Sequence, residues 1–263
     1  MRLAARATFI VLGASATVLA IGYFTQQPWA LATWPWPEGR LSNVFMASML
    51  AAIAAALLWI GVADEGGAAA PGLLHLAVIL GGMAGVIGRL GADAHDRRLI
   101  AYAIGTGIGA GLCLALFPWA RGQRVRDARD VPASLRAWFI VYIAILLASG
   151  TALVLRVPGI MPWPLKGETS TIYGFVFLAA TVSFAYPLLR PRFEYAHVGL
   201  VGFLAYDAVL LPSLIAHIER VRPELLRSLS LYIAALVVSA AVSVYYLWLR
   251  RAPRIVSRSV QAT

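Results

Sequence analysis

The stretch Arg6-Ala7-Thr8-Phe9-Ile10-Val11 returns as Arg136-Ala137-Trp138-Phe139-Ile140-Val141, and Pro35-Trp36-Pro37 returns as Pro162-Trp163-Pro164. The histidines follow the same order: His75 to His95 and His197 to His217 are equal spacings of 20 residues. Each half also closes on a Trp-x-Arg, Trp119 to Arg121 and Trp248 to Arg250. The offset between copies drifts only from 130 (6 to 136) to 122 (75 to 197), so the differences are short loop changes and the repeat covers almost the whole chain. Read this way, the sequence is a tandem duplication.

Composition sets the solvent. With 60% hydrophobic and 13% charged residues, 263 residues carry too little polar surface to cover a water-soluble globule. The charges cluster and leave charge-free stretches at 7–37, 41–63, 66–88, 99–120, 137–155, 169–189 and 228–249, each as long as the roughly 20 apolar residues that cross a bilayer. An eighth span, about 196–217, is interrupted by Asp207 but apolar on both sides. The runs are continuous rather than alternating every second residue, which excludes a closed β-barrel. The expectation is an all-α integral membrane protein with eight transmembrane helices arranged as two tandem four-helix repeats in parallel orientation. An even number of spans returns each copy to the side where it began, so the pseudo-twofold axis runs along the membrane normal. The repeats are expected over 1–120 and 135–251, joined by a polar linker at 121–134 and followed by a tail at 252–263.

Arginines assign the sides. Thirteen (Arg2, 6, 121, 124, 126, 129, 136, 190, 192, 250, 251, 254 and 258) fall on the side of the N-terminus. Nine basic residues (Arg40, 89, 97, 98, 156, Lys166, Arg220, 222 and 227) fall on the other, which puts both termini in the cytoplasm. Twenty-one Arg against one Lys points to a GC-rich bacterial genome and hence to the inner membrane. The net charge of +10 reads as topology plus attraction to anionic headgroups, not as nucleic-acid binding. Arg2, Arg6 and the following apolar run resemble a signal peptide, yet their twin at 136–156 cannot be a cleaved leader, so the first span is expected to be retained.

Asp207 is the residue most pointed toward function. A carboxylate near mid-span costs about 2.5 kcal/mol or more, and something must offset that. The histidine alignment places Gly85 opposite it, one turn from Arg89, so a bond between Asp207 and Arg89 is expected if the third and seventh spans are neighbours. Two readings compete: the acid locks the halves together, or with Tyr206 and Arg89 it contacts a cation, proton or polar ligand. The Trp-Pro loops carrying Trp34, Trp36 and Trp163 are expected to lie flat at the outer interface as aromatic anchors, with a substrate-entry lip as the alternative. Glu38 and Glu168 follow the two triplets without a histidine or second acid beside either, a weak basis for acid–base work. Small residues four apart (Ala47, Ala51, Ala55; Gly81, Gly85; Gly105, Gly109 beside Gly107, Gly111; Ala235, Ser239, Ser243) are expected to pack helices closely.

His75 and His197 lie at matching depths and are the pair that haem would need, with His95 and His217 as a second pair. Twenty residues at ~100° each leave a net rotation of about 200°, so one straight helix does not present both of its histidines to one seam. Cys113 is a lone small core residue. No phosphate loop, His-Glu-x-x-His, Gly-x-Ser-x-Gly or Cys-x-x-Cys is present, so no catalytic residue, metal site or cofactor is expected. The function classes left are three. The first is a small transporter or ligand-binding membrane protein with its site between the repeats. The second is an anchoring or interaction subunit with membrane partner subunits or a homo-oligomer. The third is a redox (haem) or lipid-modifying enzyme. Alkaline phosphatase inserted in the 157–166 loop is expected to be active, and the same enzyme fused after residue 263 inactive.

Overall fold

The computed structural model describes residue 1 and residues 3–249; Arg250 of the second Trp-x-Arg and the expected 252–263 tail lie outside the described residues. The helices are α1 (Leu3–Phe24), α2 (Pro28–Leu31), α3 (Arg40–Ala63), α4 (Ala69–Ala94), α5 (Arg97–Arg121), α6 (Ala133–Val154), α7 (Gly167–Leu189), α8 (Phe193–Ile215) and α9 (Leu226–Val244). A 3₁₀ turn, Gly66–Ala68, leads into α4, and a π turn, Tyr245–Leu249, extends α9. Among the described residues, eight helices, all of these except the one-turn α2, are long and apolar enough to span a bilayer. The chain is a polytopic, all-helical membrane protein.

Local chemistry ends the helices where the charges stand. Asp96 caps α5 by accepting from the backbone N–H of Arg98 at 2.8 Å and Leu99 at 3.4 Å, which leaves only His95 and Asp96 between α4 and α5. His95 and Asp64 take the left-handed conformation (φ 54° and 57°), which His and Asp tolerate better than most side chains. Gln26 and Arg156, 130 residues apart, do the same (φ 58° and 59°) just past α1 and α6. Pro118, Pro187 and Pro212 all sit in the last turn of their helices, where the lost i→i−4 bond and the ring's clash with the preceding turn disturb only the helix end.

The spans form four hairpins: α1 with α3, α4 with α5, α6 with α7, and α8 with α9. Within each half the backbones of the two hairpins keep apart, although in the second half their side chains meet, with Tyr142 of α6 and Phe184 of α7 packed on Phe203 of α8. Instead α3 packs on α8 and α4 on α7, so every hairpin docks on one from the other half. Four helices thus line the centre, with α7 the most enclosed of the eight spans and α5 the most exposed to lipid. Small residues set the close approaches. A Cβ on Gly174 would stand 2.7 Å from the carbonyl of Gly150, and one on Gly202 would stand 3.2 Å from the carbonyl of Ala52 across the α3–α8 contact. Of the expected glycine stripes, Gly81, Gly107 and Gly109 do face the partner helix of the α4–α5 hairpin, whereas Gly85, Gly105 and Gly111 meet nothing within 4 Å.

The Trp-Pro loops are not flat anchors. Each reaches into the other half. Trp36 Nε1–H donates to Thr169 Oγ1 at 2.9 Å and to Glu38 Oε1 at 2.8 Å, and Trp163 Nε1–H donates to Ser42 Oγ at 3.1 Å. The pairs are reciprocal: a shift of 127 residues carries Trp36 onto Trp163 and Ser42 onto Thr169. Lys166 Nζ closes the same contact by donating to the carbonyl of Pro37 at 2.7 Å. Trp163 is 5% exposed and packs on Phe45, itself fully buried, which also meets Tyr173 at a ring separation of 4.4 Å. Trp163 is buried and Trp34 and Trp36 are half-buried, the first loop being turned back over the helix ends by the one-turn α2, which starts at Pro28. Replacing Trp163 with Phe strands the Ser42 hydroxyl in an apolar seam and is expected to cost about 1–3 kcal/mol. Thermal unfolding in detergent should show a clear loss for Trp163→Phe and a smaller one for Trp36→Phe, because Thr169 keeps its bond to Glu38.

Candidate functional site

Two adjoining cavities, of about 120 Å³ and 80 Å³, lie where the halves meet. They share Ala52 and Ile53 of α3, His75 of α4 and Phe203 of α8, so one continuous wall lines both. The larger cavity runs from this wall toward the N-terminal face, past Ser183, Tyr195 and Phe9. The smaller is ringed by Phe45, Phe177, Tyr142, Tyr206 and Tyr232. An apolar cavity of about 150 Å³ holds a molecule the size of benzene, so these spaces suit a small, mainly apolar occupant.

The polar groups on the wall are few and placed. His75 Nδ1 and Ser183 Oγ lie 2.9 Å apart, a hydrogen bond from α4 to α7. Tyr206 and Tyr232 share a hydrogen bond between their hydroxyls, joining α8 to α9. Tyr206 stands edge-on to Phe45 at 6.0 Å, so the ring touches both halves. His197, the other member of the matched pair, has different surroundings. It packs edge-on against Trp59 at 4.5 Å, with Glu65 Oε2 3.9 Å from its Nδ1. Both histidines reach from one half to the second span of the other, α4 to α7 and α8 to α3, but they are held by separate partners.

Of the three residues expected to act together, the structure joins two and removes the third. Tyr206 lines the cavity. Asp207, one step further round α8, turns away from it and is 1% exposed, with Ser239 of α9 and Tyr142 of α6 near its carboxylate. Neither carboxylate oxygen nor Ser239 Oγ completes a hydrogen bond of good geometry. Arg89 is not at the site. Its side chain is 87% exposed and pairs with Asp93 one turn away at 3.9 Å. The expected Arg89–Asp207 bond fails because α4 packs on α5 and α7, while α8 packs on α3 and α9. Asp207 therefore belongs to a seam inside the second half.

Sequence reasoning missed a second polar cluster, on the N-terminal face. The linker folds back so that the backbone N–H groups of Arg126 and Asp127 donate to Glu194 Oε2, and Glu194 is fully buried at the start of α8. Trp59 Nε1–H donates to Glu65 Oε2 at 2.8 Å. The Met1 amine donates to Asp64 Oδ1 at 2.8 Å, and Arg126 pairs with the other oxygen. The signal available was the paired Asp64-Glu65 beside the Gly66-Gly67 turn. A Cβ on Gly67 would come 2.9 Å from Glu194 Oε1, so a larger residue there would push that carboxylate aside.

A third space of about 410 Å³ lies between α1, α3 and α8. Ala47, Ala51 and Ala55, expected to pack helix against helix, line it together with Thr17 and Ala208. Compared with protein-family models, curated proteins and solved structures, the chain has no match.

The hydrogen bond from the Met1 amine, followed by the charges of Arg126 and Arg6, holds the Asp64 carboxyl below its ordinary value of 3.8. A carboxyl lowered in the folded state stabilises fully above the ordinary aspartate range, and the contribution is lost as pH falls through the lowered folded value. Asp64→Asn is accordingly expected to lower the melting temperature at neutral pH, with the gap to the parent closing at acid pH below the ordinary aspartate range.

Proposed function

We propose that the protein is a small transporter or ligand-binding membrane protein of a bacterial inner membrane, with both termini cytoplasmic and a small, mainly apolar ligand held between two tandem copies of a four-helix unit. The observation that carries this reading is the pair of cavities on the junction of the halves, apolar except for His75, Ser183 and the tyrosine hydroxyls. Such a lining gives affinity through burial and orientation through a few polar contacts. The duplication itself is supported by matched geometry: the reciprocal Trp36–Thr169 and Trp163–Ser42 bonds, the left-handed Gln26 and Arg156, and the symmetric docking of α3 on α8 and α4 on α7. In folds built from parallel repeats the ligand commonly sits at the repeat interface near mid-depth.

A specific feature favours a second reading, an anchoring or interaction subunit. The alanine-lined groove between α1, α3 and α8 has the small-residue surface against which a neighbouring transmembrane helix packs. Ala51→Trp would fill it, and loss of a stoichiometric partner on purification would select this reading.

The cavity reading is tested with the purified protein and small apolar probes such as benzene and cyclohexanol. A saturable rise in melting temperature is expected, at least tenfold weaker in apparent affinity for Ala52→Phe, which fills the shared wall. Counterflow of a bound probe into proteoliposomes then separates carrier from binder. No probe raising the melting temperature, or equal effects on parent and Ala52→Phe, would remove the reading.

A further inference from the structure

Among the described residues, six buried side-chain polar atoms lack a hydrogen-bond partner, and four of them are Asp207 Oδ1, Asp207 Oδ2, Ser239 Oγ and Ser243 Oγ. Ser239 and Ser243 are one turn apart on α9, both fully buried, and α9 is the helix that packs against α8 in the hairpin. Tyr142 of α6 closes the third side, near both Ser239 and Asp207. The mid-span acid of α8 is thus set among hydroxyls in a buried seam.

The charge state follows from counting donors. An ionised carboxylate is acceptor-only and calls for up to about four donors; a neutral carboxyl needs one acceptor for its O–H and one donor for its carbonyl. Around Asp207 stand hydroxyls alone, and each can both give and accept one bond. Among the described residues no cation is at hand. The helix α8 has no Arg or Lys, and those of its neighbours, Arg40 of α3, Arg136 of α6 and Arg227 of α9, sit in the first turn of their helices, away from mid-span. The titratable groups that face the acid are Tyr142 from α6, Tyr206 from α8 itself and Tyr232 from α9; α3 has no titratable residue after Arg40. The tyrosines of α7 are committed elsewhere, Tyr173 to the carbonyl of Ser42 and Tyr186 to the ring of Tyr195.

We propose that Asp207, Ser239 and Tyr142 form a proton-binding site, in which the carboxyl rests neutral and exchanges its proton through the tyrosine wall of the cavity. When it ionises, the Oδ–H bond breaks, the electron pair stays on the carboxylate, and the proton passes to water in the cavity. Tyr142, Tyr206 and Tyr232 make the route, because all three line the smaller cavity and all three lie within electrostatic reach of the acid. Coupling of the proton to ligand rests on the cavity reading above. The proton site itself does not.

Infrared spectroscopy of the whole protein in lipid reads the neutral acid without any ligand. At neutral pH the parent is expected to show the carbonyl band of a protonated carboxylic acid, shifted to lower frequency in heavy water. The band should vanish in Asp207→Asn and persist in Glu194→Gln. A second measurement needs no variant: dicyclohexylcarbodiimide, which attacks protonated carboxyls in apolar surroundings, should add one carbodiimide to the peptide bearing Asp207, less as pH rises. An absent band, or one unchanged in Asp207→Asn, overturns the proposal. Protection from the carbodiimide by sodium at constant pH also overturns it, since the occupant would then be a metal cation. If apolar probes fail to bind in the cavity but the band is present, the ligand reading falls and the proton site stands.

Discussion

The crossed pair of indole hydrogen bonds, Trp163 to Ser42 and Trp36 to Thr169, is the contact on which the arrangement of the helices depends. In hydrocarbon, burying one apolar helix face against another gains little over leaving it in lipid, so buried polar bonds and close backbone contacts decide which helices meet. Here those bonds run between halves. Around them pack Phe45, Trp163 and Tyr173, and Tyr173 adds a hydrogen bond to the carbonyl of Ser42 at 3.0 Å. The start of α3 is thereby fixed to the loop before α7 and to α7 itself.

That crossed docking is also the physical origin of the cavities. If each half closed on itself, its four helices would pack their own centre and the junction would be a flat seam. Because α3 turns to α8 and α4 to α7, the centre is lined by helices that meet their hairpin partners only on their outer sides. The two faces are held differently. On the face opposite the N-terminus the aromatic loops interlock. On the N-terminal face the linker is pinned by Glu194 and by Asp64, which the Met1 amine and Arg126 hold ionised.

The two halves match in frame but not in chemistry. The histidine alignment sets Asp207 against Gly85, so the buried acid has no twin. Its seam, with Ser239, Ser243 and Tyr142, lies wholly in the second half, whereas the cavity it borders is shared by both. The cavity thus has both halves in its walls and a buried mid-span acid beside it from one half alone.

The sequence by itself determined the class, the number of the spans and the acid within one of them, because each follows from local composition read along one dimension. Only the tertiary structure decided which helices touch. The Arg89 bond was expected from alignment depth alone, and depth does not say that α4 meets α7 rather than α8. Likewise the tryptophans of the loops look like interfacial anchors by residue type, and their burial appears only once the loops fold over the opposite half. Hydropathy records distance along the membrane normal and says nothing of position around it; the angular order of helices is fixed by pairwise contacts such as Trp163 with Ser42, whose partners lie 121 residues apart.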